Sequence, residues 1–160
     1  MDISNSPEVI RRLGVISMNT PIEFDIYGQA NSTHVMGRNM MNGIGGSGDY
    51  MRNGYFTIFS TPSCAKGGDI SSVVPMVTHA DHTEHDTMVF ITEQGVADIR
   101  GLAPVDRAKL IIEKCAHPKF RDQLKDYLQL AQKKGGHEPV DLEHAFDMHI
   151  KFEKTGTMQR

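Results

Sequence analysis

Residues 86–115, DTMVFITEQGVADIRGLAPVDRAKLIIEKC, change period midway. The first ten, DTMVFITEQG, are rich in Val, Phe, Ile and Thr and stop at a glycine, which is the pattern of a strand. From Pro104 the apolar residues fall at Val105, Ala108, Leu110, Ile111, Ile112 and Cys115, which suits a buried helix. The expected class is α/β, with a mostly parallel or mixed sheet flanked by helices.

Working outward, Pro118 breaks the helical pattern, and PKFRDQLKDYLQLAQKK then places Phe120, Leu124, Tyr127, Leu128 and Ala131 on one helix face. Gly135-Gly136 stops that helix, and DLEHAFDMHIKFE gives a last short helix, or a helix then a strand. Toward the N-terminus, YFTIFS reads as a strand, and KGGDISSVVPMVT as a turn followed by a strand. VISMNTPIEFDIYG reads as one or two strands with a turn or bulge at Asn19-Thr20-Pro21. NSPEVIRRLG starts a helix: Asn5 or Ser6 can accept from its orphan amides, Pro7 fits the first turn, and Gly14 can end it. There is no internal repeat or low-complexity linker, so residues 1–160 are expected to form a single domain.

The 160 residues suffice for one hydrophobic core, and 39% apolar with 23% charged content is ordinary for a globular protein. The net charge of −3 comes with acids and bases mixed along the chain, so no basic stripe favours nucleic acid or an anionic membrane surface. Arg11-Arg12 and Lys133-Lys134 read as polar helix ends. Cys64 and Cys115 lie far apart without C-x-x-C spacing, which points to reduced, small buried hydrophobes. No apolar run approaches the ~20 residues of a membrane span, and the N-terminus lacks a signal-peptide pattern. A cytoplasmic location is the expectation.

The segment Asn42–Tyr50, NGIGGSGDY, is the most informative stretch for function. Each glycine costs ~1 kcal/mol against alanine in regular structure. Such density serves where backbone amides must approach a ligand: consecutive amides form a concavity for a phosphate, a carboxylate or an acyl oxyanion. An ordinary glycine-rich loop at a sheet edge is the alternative. The order is neither G-x-G-x-x-G nor a P-loop. Lys66, before Gly67-Gly68, is placed to reach a phosphate as a point charge, or is a solvated loop lysine.

Residues 79–86, HADHTEHD, raise the question of a metal. Their spacing is not H-E-x-x-H and no cysteine is near, so a hydrogen-bonded loop shaping a site wall is preferred and no metal ligand is assigned. Glu93 ends a strand where α/β folds place ligand contacts. It is a candidate nucleophile or base, or a partner for Arg100 or a turn cap.

Three stretches, NSTHVMGRNMMNGIGGSGDYMRNG, AKGGDISSVVPMVTHADHTEHD and ITEQGVADIRGLAP, closely resemble the C-terminal domain of the acetyl-CoA hydrolase/transferase family, in its succinate:acetate CoA-transferase branch. The likeness runs from NSPEVIRRLG to the final GTM. It implies a CoA-transferase-like fold of the NagB/RpiA type, and two related α/β domains in a complete, homodimeric enzyme. A glutamate there attacks acyl-CoA, forms an acyl anhydride, and becomes a glutamyl-CoA thioester. A small carboxylate then takes the CoA, or water hydrolyses the intermediate.

By this resemblance that glutamate lies in the half preceding this sequence, so the chain alone is expected to be inactive. Glu93, in TEQG, is not that nucleophile. Asn42, Gly46 and Lys66 match CoA contacts, the Gly46 amide matches an oxyanion-hole donor, and Asn5 matches an asparagine lining the same pocket. Acyl-CoA is a substrate, and no permanently bound cofactor is expected. A non-catalytic CoA-binding or dimerisation module and a metal-dependent hydrolase remain the alternatives from other classes.

Overall fold

A computed structural model describes residues 3–160 of the chain. In order come α1 (Pro7–Leu13), β1 (Ile16–Asn19), β2 (Glu23–Asp25), β3 (Ala30–Asn31), β4 (His34–Val35) and β5 (Asn39–Met40). Then follow α2 (Ser47–Asn53), β6 (Phe56–Ser60), β7 (Cys64–Ala65), β8 (Ile70–Ser71), β9 (Val73–Val74), β10 (Val89–Thr92) and β11 (Gly95–Asp98). Three helices finish the chain: α3 (Pro104–Lys114), α4 (Pro118–Lys134) and α5 (Asp147–Thr155). No helix among the described residues is long and apolar enough to cross a membrane.

The main sheet has strand order β1-β6-β10-β11. Strand β6 runs parallel to both β1 and β10, and β11 returns antiparallel to β10 as a hairpin. A smaller sheet, β3-β2-β9, pairs β2 parallel to β9 and antiparallel to β3. The fold is therefore mixed α/β, as the change of period predicts.

Its core forms where the rings of Phe24 and Phe90 stack at 4.4 Å, with Phe59 5.8 Å from Phe90. Ala108, Ile111 and Ile112 of α3, Phe120, Leu124 and Leu128 of α4, and Met148 of α5 close over them. Each large side chain buried this way contributes about 1.5–3 kcal/mol. Cys115 is fully buried in this cluster and Cys64 half-buried beside it, both as free thiols.

Two local expectations need correction. Ser6 is the N-cap of α1 but makes no side-chain cap bond, and the Asn5 side chain turns toward Gly46 instead. Within the glycine-rich segment, helix α2 begins at Ser47, after a turn in which the Ser47 amide bonds to the Ile44 carbonyl. The single strand expected in KGGDISSVVPMVT is two dipeptide strands in different sheets: β8 pairs with β7, and β9 with β2. The C-cap of α1 is as expected, with Gly14 left-handed at φ 64°.

A buried hydrogen bond between a carboxylate and an imidazole ties distant parts of the chain together. His149 Nε2 of α5 lies 2.8 Å from Glu23 Oε2 of β2, both side chains almost fully buried. Glu23 Oε1 also accepts from Asn31 Nδ2, the Thr78 amide and Thr78 Oγ1. Burial pushes the Glu23 carboxyl upward, but the bonds from His149, Thr78 and Asn31 outweigh it and hold the group below its ordinary value. The stability it contributes is complete above the carboxylate range and is lost as the pH falls through it. Glu23→Gln is expected to cost about 3–5 kcal/mol at pH 7 and to flatten the acid limb of the stability profile, measured by urea unfolding between pH 3 and 7.

Candidate functional site

The glycine-rich segment is a loop tied down at both ends. At its entry, the amides of Met41 and Asn42 donate to the Thr33 carbonyl at 2.8 and 3.4 Å, and Asn42 Nδ2 donates to the Ser32 carbonyl at 3.0 Å. At its exit, Ser47 Oγ donates to the Ile44 carbonyl at 2.8 Å and lies 3.0 Å from His82 Nε2. Since the hydroxyl proton goes to Ile44, Ser47 accepts from His82, which fixes the Nε2–H tautomer.

His82 is itself anchored. It is buried, its backbone pairs with Ala30 in both directions, and its ring packs 5.1 Å from Phe59. Burial pushes its pKa below the ordinary value, which keeps the imidazole neutral at pH 7. The HADHTEHD segment thus forms a hydrogen-bonded loop whose His82 lies against the exit of the glycine loop.

Between the two anchors, residues 42–45 are exposed and Gly46 is half-buried. Among the described residues the amides of Gly43, Ile44, Gly45 and Gly46 find no acceptor in the chain. Unpaired amides are tolerated where solvent or a ligand can meet them, and here four in succession are left so. Gly45 holds φ 57°, a conformation that favours glycine.

Gly46 is glycine for a different reason. Its φ of −90° and ψ of 4° suit many residues, but a Cβ there would stand 2.0 Å from Asn5 Nδ2 and 2.9 Å from Asn5 Cγ. The Asn5 carboxamide therefore lies directly against the Gly46 backbone. The Tyr50 hydroxyl donates to the Ser4 carbonyl at 2.5 Å and pins this N-terminal stretch to α2. The structure brings Asn5 against Gly46, while the Asn42 side chain, four residues earlier in the loop, turns to Ser32.

Lys66 belongs to another neighbourhood. It sits at φ 47° in the turn between β7 and β8, exposed, with Nζ 5.0 Å above the Phe152 ring of α5. Such a cation–π contact orients the ammonium while leaving it in solvent.

Glu93 lines a cleft of about 490 Å³ with Thr20, Ser60, Thr61, Ile91 and Thr92, at the carboxyl ends of the parallel strands β1, β6 and β10. Its partner is not Arg100, which pairs with Asp98 at 2.7 Å. The Ser63 amide donates to Oε2 at 2.8 Å, while Ser63 Oγ and Gln94 Nε2 donate to Oε1. Burial opposes ionisation, yet these bonds dominate and hold the carboxyl at about 2. A carboxylate so fully engaged is a weak base at neutral pH. Nothing in the sequence pattern marked Ser63.

The histidines of residues 79–86 do not converge. His79 turns to Asp81, His85 to Glu84, and His82 to Ser47. Among the described residues, Asp141, Glu143 and His144 do gather, with possible ligand atoms within 4.8 Å of one another. Asp141 already accepts from the Glu143 amide and pairs with His144 at 3.2 Å, so the group reads as a capped turn.

With this geometry in place, comparison with known proteins gives a consistent result. Residues 1–128 match the family described as the acetyl-CoA hydrolase/transferase C-terminal domain. The chain is 62% identical over 159 residues to a succinyl-CoA:acetate CoA-transferase of Clostridium kluyveri, covering 99% of this chain and 30% of that protein. It is 53% identical over 166 residues to an acetyl-CoA hydrolase of Candida albicans, covering 98% and 32%. Among solved structures, RipA from Yersinia pestis aligns with a TM-score of 0.69 at 33% identity, over 84% of this chain and 30% of that one. The chain thus spans about a third of the length of the curated relatives it matches.

The anchoring of the loop is testable by itself. His82→Phe keeps an aromatic ring beside Phe59 and deletes the bond to Ser47. It is expected to speed amide exchange at Ser47 and Tyr50 several-fold while β10 amides stay protected, read by NMR-detected hydrogen exchange.

Proposed function

This chain belongs to the acetyl-CoA hydrolase/transferase family, as its C-terminal domain, and we propose that it supplies the CoA-binding and oxyanion-stabilising part of an acyl-CoA:carboxylate CoA-transferase. The observation that carries this reading is the run of unpaired amides from Gly43 to Gly46 with the Asn5 carboxamide against Gly46.

In the proposed reaction a glutamate from outside these 160 residues attacks the thioester carbonyl of acyl-CoA. Negative charge gathers on the carbonyl oxygen, where the Gly46 N–H donates to it. Collapse expels the CoA thiolate and leaves an acyl-glutamyl anhydride. The thiolate then attacks the glutamyl carbonyl, releases the first carboxylate, and forms the glutamyl-CoA thioester that a second carboxylate resolves. The loop acts by electrostatic preorganisation: donors already fixed at the site need no rearrangement as charge develops.

Asn42 holds the loop entry and Asn5 adds a carboxamide N–H beside Gly46. Lys66 is the proposed contact for CoA phosphate. CoA is long, so its phosphates and its thioester can be bound at separate places, which accommodates the distinct neighbourhoods of Lys66 and Gly46. The three hydrogen bonds that Glu93 accepts from Ser63 and Gln94 support assigning the nucleophile elsewhere. A second reading, hydrolysis of the same intermediate by water, draws on the 53% identity to the Candida albicans hydrolase.

Calorimetry and turnover test the assignment. The 160-residue chain is expected to bind CoA weakly and to show no transferase turnover. Lys66→Ala is expected to weaken CoA binding and to reduce its salt dependence. In a full-length enzyme, Gly46→Val keeps the backbone N–H but sets a side chain against Asn5, so the amide is misdirected and kcat is expected to fall about 100-fold or more, the scale of one oxyanion donor put out of place. Turnover by the chain alone, or an unchanged rate after Gly46→Val, contradicts the proposal.

A further inference from the structure

The main sheet carries its helices on one face. Met51 of α2 packs there, with its sulfur 3.2 Å from Asn19 Nδ2 and 3.8 Å from Ser17 Oγ. Cys115, at the end of α3, lies against the same sheet, its sulfur 3.5 Å from the Phe90 carbonyl. Ser17, Thr57, Phe59, Phe90 and Ala97 are accordingly buried.

The other face is apolar and largely bare, with Val89, beside Ile58, buried at 3% exposure. Strand register sets Ile16 beside Phe56, Met18 beside Ile58, and Ile91 beside Val96. Ile16, Met18 and Val96 are 62%, 68% and 54% exposed, and Phe56, Ile58 and Ile91 are only half-buried. The Arg100 guanidinium, paired with Asp98 on this side, covers part of the Phe56 ring at 4.7 Å. In β1 the usual arrangement is inverted: polar Ser17 points into the core and apolar Ile16 and Met18 point out. Sheets built on parallel pairs are normally covered on both faces, and this one has two parallel pairs and one cover. Strand β1 is also an edge, with no neighbour on its outer side among the described residues.

We propose that this face, with the free edge of β1, is the docking surface for the preceding part of the longer family protein, which completes the missing layer. The inference rests on the family reading above and specifies the surface. The relatives are about three times as long as the matched segment, which corresponds to their C-terminal domain, so a preceding partner exists in them. Topology agrees, since β1 is both the first strand and the sheet edge. A second copy of this chain fits less well. Six side chains, three of them half covered, fall short of the about 800 Å² per partner that stable dimers bury. A partner in the same polypeptide needs less area, because the tether supplies a high effective concentration.

Methionine oxidation tests this. Met18 is on the bare face, Met40 is comparably exposed elsewhere at 69%, and Met51 is buried. Hydrogen peroxide is applied to the 160-residue chain and to a chimera that carries, ahead of it, the preceding part of the Clostridium kluyveri relative. Mass spectrometry then gives the rate at each methionine. In the chain alone Met18 and Met40 are expected to oxidise at similar rates. In the chimera Met18 is expected to slow at least tenfold while Met40 is free to differ. If the chimera does not fold, the Clostridium kluyveri enzyme itself carries the test, with methionine placed at the position aligned with Met18: slow oxidation there supports the inference and fast oxidation overturns it. Met18 equally reactive in a folded chimera overturns it. Met18 already protected in the chain alone, with sedimentation as a dimer, overturns it in favour of a second copy. Assaying the same chimera for acyl-CoA turnover separates the two readings. An exposed Met18 in an active chimera defeats only the docking surface, and a protected Met18 in an inactive one defeats only the function.

Discussion

The hydrogen bond from His82 to Ser47 is the contact on which the site depends. A loop whose successive amides are unpaired has little of its own to hold it. Here the exit of the loop is fastened through Ser47 to an imidazole that is buried, neutral and paired through its backbone to β3. The entry is fastened through Asn42 to the Ser32 carbonyl. Because both ends are tied to the body of the fold, the four amides between them can stay without partners and still keep their directions. Rigid donors free of internal partners are what a developing oxyanion requires.

The same economy explains the N-terminal stretch. Asn5 gives up a capping role on α1 and lies against Gly46, while Ser4 receives the Tyr50 hydroxyl. Helix α1 is thereby coupled to α2 and to the loop, so a change at Asn5 acts on the Gly46 backbone by direct contact. The sheet beneath is asymmetric in the same way: one face is filled by α2, α3 and α4, and the other is a row of apolar side chains facing out.

Much of this was legible in the sequence, and the rest was not for definable reasons. Strands β6 and β10 and helices α3 and α4 are long enough to show a period, so their positions follow from residue pattern. Strands β7, β8 and β9 have two residues each, which is too few for any period: β7 goes unread, and β8 and β9 read as one strand. The glycine loop stood out by density, but the cause at Gly46 is a neighbour 41 positions away, not a dihedral angle. For Glu93 the charge pattern offers Arg100 as one possible partner, whereas Ser63, offering both an amide and a hydroxyl across a loop, holds it. The inverted strand β1 was readable as a strand, but not as one with its apolar side outward. That orientation depends on which face the helices choose.

The account stands on the amides of Gly43 to Gly46 being the surface that meets CoA. At 160 residues the chain suits two-dimensional amide NMR, and titration with CoA follows each of those groups directly. The account predicts that the Gly43, Gly45 and Gly46 resonances move together and saturably, while amides in the exposed part of α4 stay in place. CoA bound elsewhere on the chain, with those three resonances unmoved at saturation, would contradict it.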